Sequence, residues 1–208
     1  MNKFETCLLM AILKKKFFNR PTLTVAEELL GCFLCRRIGK KIVRLEITEV
    51  EAYDGPEDRA SHGVRCRSGE WEARQTPRNT PMFGEGGVWY VYFTYGMHWM
   101  LNITTGPVGY PAAILIRGAC EGLTSTDGGL TSTTRMTGPA RLTKFLNVDK
   151  RFNNKKAGIK TGLWIACPPG RRKGEKPLKN VIQRTPRVGV AYAGPVWGSK
   201  PYRFTTSC

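Results

Sequence analysis

The sequence predicts a single α+β domain in which strands outnumber helices, and three observations carry that prediction. A length of 208 residues suits one large domain, with two small ones as the weaker alternative, at roughly 150 residues per domain. Strand-like runs recur with short turns between neighbours, while only two segments carry helix-start signals. A composition of 41% hydrophobic and 24% charged residues can fill a sizeable core. That excludes disorder, collagen and coiled coil as descriptions of the whole chain.

Residues 1–17 read as a basic leader and residues 18–208 as the domain. The apolar run Cys7–Leu13 is too short to span a bilayer, and Lys14-Lys15-Lys16 follows it where a secretory signal would place charge in front. Thr24-Val-Ala-Glu27 is a capping box that predicts a short helix through Leu30, ended by Gly31. Strands follow over Phe33–Ile38 and Ile42–Tyr53, joined by a turn at Gly39-Lys40-Lys41. Side chains alternate along a strand, so Val43, Leu45, Ile47, Glu49, Glu51 and Tyr53 share one face of the second strand if it carries no bulge. Glu51 then points to the side that the aliphatic residues bury, where an unpaired carboxylate is costly. A strand end fraying into solvent is the alternative.

Residues 54–87, rich in Gly, Pro, Arg and polar side chains, read as a long loop. Val88–Thr94 and Trp99–Thr105 predict a hairpin around Tyr95-Gly96-Met97-His98, with a tyrosine and a methionine where polar turn formers are expected. Such a tip either tucks against a neighbour or, on a nucleic-acid binder, serves as a wedge between base steps. Ala112–Arg117 is a further strand, and Leu123–Thr134 is a Ser/Thr/Gly-rich loop. Gly138-Pro139 opens a second helix with Leu142, Phe145 and Leu146 on one face. The remainder reads as short strands in basic loops.

Lys and Arg number 33 against 16 Asp and Glu, a net charge of +17. Up to Thr134 the chain holds 16 basic and 14 acidic residues, and beyond it 17 basic and 2 acidic, so the excess is C-terminal. That half is either a plain soluble surface or a face that tracks phosphates. Glu46, Glu49, Glu51, Asp54, Glu57 and Asp58 run against this trend. They call for arginine partners or for catalytic use. Seven scattered cysteines point to a reducing compartment. Cys32-x-x-Cys35 has no second pair at zinc spacing, His62 and His98 lie far apart, and no nucleophile elbow, P-loop or dinucleotide fingerprint is present. We therefore expect no metal and no cofactor, with a Mg²⁺ site in the acidic cluster, as in a nuclease, as the weaker alternative. An acid on a strand, the aromatic set Tyr53, His62, Tyr90, Tyr92 and Tyr95, a wedge and a basic face suit an enzyme acting on a base taken out of the duplex. The rival is a basic RNA- or ribosome-binding domain in which Glu51 is a satisfied core acid.

The runs Glu49-Val-Glu-Ala-Tyr-Asp-Gly-Pro-Glu-Asp58, Thr76-Pro-Arg-Asn79 with Met82-Phe83, Tyr90-Val-Tyr-Phe-Thr-Tyr-Gly-Met97 and Gly138-Pro-Ala-Arg-Leu-Thr-Lys144 choose between these readings. From about Phe18 to Phe204 the chain resembles the alkyladenine (3-methyladenine) DNA glycosylase family. The resemblance implies one α+β glycosylase domain with a curved antiparallel β-sheet, flanking helices and a protruding β-hairpin that enters the minor groove. It implies Glu51 as the base that activates water, with Arg117 and the carbonyl of Val188 helping to hold that water. Tyr53, His62 and Tyr92 would wall a base pocket, and Asn102 would gate it against guanine. Tyr95, with Met97 beside it, would intercalate, and Arg141 and Lys144 would meet the DNA backbone. The expected partner is double-stranded DNA containing damaged purines of the 3-methyladenine and hypoxanthine class. The expected product is an abasic site, released without strand cleavage. A monomer is expected, in the cytoplasm or nucleoid of a bacterium or the nucleus of a eukaryote, with no membrane contact. Arg67–Gln75 is longer than the family's usual link, and Leu123–Thr134 is unusual for it.

Overall fold

The computed structural model describes residues 10–66, 71–121, 135–168 and 182–207. Residues 1–9 of the expected leader, 67–70 of the long link, the expected loop 123–134 and residues 169–181 of the basic C-terminal half lie outside the described residues. In chain order the elements are β1 (Ala11–Ile12), α1 (Lys15–Phe18), α2 (Thr22–Leu29), β2 (Phe33–Ile38), β3 (Lys41–Asp54), β4 (Val64–Cys66), β5 (Trp71–Ala73), β6 (Trp89–Thr94), β7 (His98–Thr104), β8 (Ala112–Cys120), β9 (Arg135–Thr137), α3 (Pro139–Phe145), β10 (Leu163–Cys167), β11 (Gln183–Thr185), α4 (Gly194–Ser199) and β12 (Arg203–Thr205).

Among the described residues ten strands form one antiparallel sheet along the path β1-β10-β2-β3-β8-β7-β6, with β12 joining β11 to β3 and β9 lying against β8. This is the α+β class the sequence predicts. β4 and β5 make a separate small hairpin inside the region expected as one long loop. β1 pairs with β10, so the described end of the expected leader is tied to the sheet.

The anatomy of β3 positions the site. Its first half, Lys41–Glu46, pairs with β2, whereas Glu49–Glu51 pairs with β12 on the same edge. Along the other edge β8 runs the full length, but the register shifts between Ile47 and Val50. A bulge adds a residue to one strand and reverses which face the following side chains occupy. Leu45 and Ile47 lie in the main core, and beyond the bulge the core residues are Val50 and Ala52. The single alternating face expected from Val43 to Tyr53 is therefore corrected, because Glu49, Glu51 and Tyr53 are turned to the opposite side from Leu45 and Ile47. Gly118, opposite Glu49, makes room for this, since a Cβ there would come within 3.0 Å of the Glu49 Cβ.

The core on the other face collects Leu45, Val50, Leu101, Ile103, Ile114 and Ile116 with Val25 and Leu29 of α2 and Leu142 of α3. Each large side chain removed from water there contributes about 1.5–3 kcal/mol. The capping box does not form. The first residue of α2 is Thr22, after Pro21; Thr24 is exposed inside the helix, and the Glu27 carboxylate accepts from Arg184 instead. α3 begins at Pro139 as expected, and Thr143 fastens it to β7 by donating to the Trp99 carbonyl at 2.9 Å. Leu142 and Leu146 are buried, but Phe145 is half-exposed, because Thr143 takes the inward position.

Candidate active site

β3, β6, β7 and β8 line a cavity of about 390 Å³ that also takes residues from the 188–192 segment and the start of α3. Glu51 stands in its wall with 0% exposure. Its Oε1 accepts from the backbone N–H of Val188 at 2.7 Å and lies 3.4 Å from the Arg117 guanidinium, while Oε2 accepts from the Tyr53 hydroxyl at 3.0 Å. Burial pushes the Glu51 carboxyl above its ordinary pKa, against the opposing pull of Arg117, the Val188 N–H and Tyr53. An upward shift moves a carboxylate toward neutral pH, where a general base works best. The Val188 group that meets the carboxylate is its N–H, whereas the resemblance implied a role for its carbonyl.

Glu49, two residues earlier, differs in its surroundings. It accepts from Arg117 at 2.9 Å and from Arg203 at 2.8 Å. Burial opposes its ionisation, but the Arg203 and Arg117 hydrogen bonds outweigh burial and hold its carboxyl below the ordinary range. Arg117 thus sits between two carboxylates, one saturated and one facing the cavity.

The aromatic wall comes from alternate residues of β6 together with the loop after β3. His62 Nδ1 lies 3.0 Å from the Tyr90 hydroxyl, and the His62 and Tyr92 rings meet edge-on at 4.6 Å. Tyr90 and Tyr92 lie 5.1 Å apart, centroid to centroid. Burial lowers the His62 pKa to about 4, helped by the Arg78 cation, so the ring is neutral near pH 7. Asn102, buried in β7, donates from Nδ2 to the Tyr90 carbonyl at 3.0 Å, which fixes the side chain against the cavity.

The β6–β7 hairpin closes one side of the cavity with Tyr95. Tyr95 and Gly96 both have positive φ, 51° and 67°, as a type I′ turn requires. A non-glycine residue there carries strain, and such strain clusters at functional positions. Tyr95 is 85% and Met97 66% exposed. Arg141 and Lys144 are exposed on α3, outside the cavity lining.

The fold thus brings Glu51, Arg117, Val188, Tyr53, His62, Tyr92, Tyr95 and Asn102 to one cavity. A sequence model described as Methylpurine-DNA glycosylase matches residues 16–207. The chain belongs to the methylpurine-DNA glycosylase family. Relatives bearing the name "Putative 3-methyladenine DNA glycosylase" include one from Nitrosococcus oceani, 39% identical over 198 residues, with 92% of this chain and 88% of the relative covered. Another, from Psychrobacter cryohalolentis, is 34% identical over 202 residues, covering 88% and 87%. A third, from Methanocella arvoryzae, is 35% identical over 202 residues, covering 94% and 92%.

Sequence reasoning left several site groups without a role. Arg78 stacks over Tyr92 at 4.9 Å and donates to the Phe93 carbonyl, and Asn79 donates to the His62 carbonyl at 2.6 Å. The Thr76-Pro-Arg-Asn79 run therefore buttresses the aromatic wall. Tyr192 lines the mouth and donates from its hydroxyl to the Ala60 carbonyl at 2.8 Å. Asp58 and Arg187 form a fully buried ion pair. Among the described residues no group of three or more His, Cys, Asp or Glu side chains could hold a metal, and no helix is long and apolar enough to cross a membrane.

Proposed function

We propose that this protein binds duplex DNA carrying an alkylated or deaminated purine, takes the damaged nucleotide into the cavity and hydrolyses its N-glycosidic bond. The observation that carries this reading is a buried carboxylate, Glu51, set in the wall of an aromatic cavity beside an exposed, tyrosine-tipped hairpin. Extruding a base costs a few kcal/mol of stacking, which the Tyr95 wedge and the Tyr53, His62 and Tyr92 rings offset.

A 3-alkylated adenine is cationic, so aromatic faces favour it and it leaves as a neutral base. Glu51 takes a proton from water as the oxygen bonds to C1′, and the C1′–N bond breaks with its electrons going to the departing base. The same carboxylate stabilises the positive charge that develops on the sugar. Asn102 narrows the cavity against the exocyclic amino group of guanine. The product of this reaction is an abasic site, without strand cleavage.

The test is release of free base from duplexes containing 3-methyladenine or hypoxanthine, with alkali-labile sites appearing only after treatment. Activity is expected to persist in excess chelator. Cleavage that needs Mg²⁺, or an absence of base release from any damaged purine, overturns the reading.

A further inference from the structure

Neither Asp58 nor Arg187 lines the cavity, and both side chains are 0% exposed. Burying an ion pair costs several kcal/mol of desolvation per ion and is offset only by good geometry and further hydrogen bonds. Both are present. Arg187 binds the carboxylate through two nitrogens, Nη1 to Oδ2 and Nη2 to Oδ1, and Nη1 also donates to the Ala52 carbonyl at 2.8 Å. Asp58 accepts in turn from the backbone N–H groups of Asp54 and Ala60, each at 3.1 Å. The guanidinium carbon lies 4.9 Å from the centre of the Tyr53 ring and 5.2 Å from that of Tyr202.

This single pair ties together the end of β3, the loop that carries His62 and the segment that carries Val188. The next residue after Arg187 is the one whose N–H donates to Glu51, and the ring Arg187 stacks on belongs to the tyrosine whose hydroxyl donates to the other Glu51 oxygen. A plain core element would not hold both hydrogen-bond donors to one carboxylate. We propose that the Arg187–Asp58 pair is a positioning device that holds the Val188 N–H and the Tyr53 hydroxyl against Glu51. The proposal rests on the reading of Glu51 as the water-activating base.

Both donors stabilise the ionised carboxylate. The other groups that act on it are Arg117 on β8, Glu49 on its own strand, and Tyr92 and Tyr192 across the cavity, with the Arg187 cation behind Tyr53. If the donors drift, Glu51 holds its proton to higher pH, so the acid limb of the pH–rate profile moves up.

Arg187→Lys keeps the charge but gives up the two-nitrogen grip and the flat face against Tyr53. Asp58→Asn keeps the shape and removes the anion. Both are compared with wild type and Glu51→Gln by single-turnover excision from saturated lesion duplex across pH, with binding and melting measured alongside. In each variant the excision rate is expected to fall about 10- to 100-fold at neutral pH, with lesion affinity within about threefold, and in Arg187→Lys, where the charges are unchanged, the acid limb shifts upward. A folded variant with wild-type rate and acid limb overturns the proposal, and so does loss of folding in both variants, which assigns the pair to stability alone. Absence of excision by wild type, or full activity in Glu51→Gln, would instead overturn the reading of the site.

Discussion

Glu51 is wholly buried and surrounded by fixed donors, while Tyr95, on the hairpin whose first strand supplies the wall of the same cavity, is 85% exposed at a strained backbone position. The two regions depart from the usual distribution of polar and apolar groups in opposite directions. In the wall, the protein supplies every partner itself: Arg117, the Val188 N–H and the Tyr53 hydroxyl for Glu51, and backbone carbonyls for the Asn102 amide. At the tip, Tyr95 and Met97 have open surface on a turn with positive φ at Tyr95 and Gly96. A preorganised wall suits chemistry, whose partners must not move. An unpartnered tip suits an apolar surface that arrives from outside, which is what a duplex offers once a base has left its stack.

The sharpest way to break this comparison is to change the wall without changing its shape. Glu51→Gln keeps the volume and much of the hydrogen bonding but cannot take a proton or face a cationic sugar with negative charge. Single-turnover excision is expected to fall by at least ~10²-fold, with folding and lesion binding retained. If Glu51 acts as the proposed base in its ionised form, the wild-type rate should climb with pH along a limb shifted upward from an ordinary glutamate, because burial raises the Glu51 pKa. Wild-type rates in Glu51→Gln would move the role to another group, and Glu49 is poorly suited to it because two arginines already saturate it.

His62 tests whether the wall is as preorganised as its hydrogen bonds suggest. Its pKa in the folded protein is about 4 against an ordinary 6.5, so between those values the unfolded chain takes up a proton that the folded one refuses. Stability is therefore expected to decline as pH falls through that window, by up to roughly 3 kcal/mol from this one group. Denaturant midpoints from pH 7 to pH 4.5 measure it. His62→Gln should flatten that part of the curve, and an unchanged slope would show that the ring reaches solvent.

The wall and the tip were unequally legible in the sequence. β2 coincides with its expected range, and the hairpin falls within a residue of it, because period-two alternation and a short turn are local signals. The irregularity in the β3–β8 pairing is an extra residue on β3 at Thr48 followed by a compensating one on β8 at Arg117, with no composition of its own, and pairing with β8 and β12 decides it. Thr24-Val-Ala-Glu27 had the pattern of a cap, but Glu27 is taken by Arg184 from the far end of the chain. The Asp58–Arg187 pair is likewise a long-range contact, and neither residue type nor spacing announces it. Even so, the six crowded carboxylates did call for arginine partners, and Glu49 and Asp58 have them.

Changing the tip should cost less than changing the wall, and the loss should depend on the partner. Tyr95→Ser removes the side chain proposed to fill the vacated stack, so excision from a lesion duplex is expected to slow roughly 10-fold, the scale of one base–aromatic stack. A single strand has no stack to fill, so it should lose less. Equal losses on both substrates would place Tyr95 among the wall residues and end the distinction.

The smallest expected effect concerns the surface beside both regions. Arg141 and Lys144 are exposed on α3, whose first residues reach the cavity mouth. If each meets one phosphate, Arg141→Gln and Lys144→Gln should each reduce the slope of log K against log salt by about 1, with undamaged and lesion duplexes weakened alike. Excision from saturated complexes should stay near wild type, since neither side chain lines the cavity. An unchanged slope would turn α3 away from the backbone and leave the phosphate contacts to other basic residues. A slope change confined to lesion duplex would mean that α3 reads the extruded nucleotide, joining it to the wall instead of to the surface that merely holds the DNA.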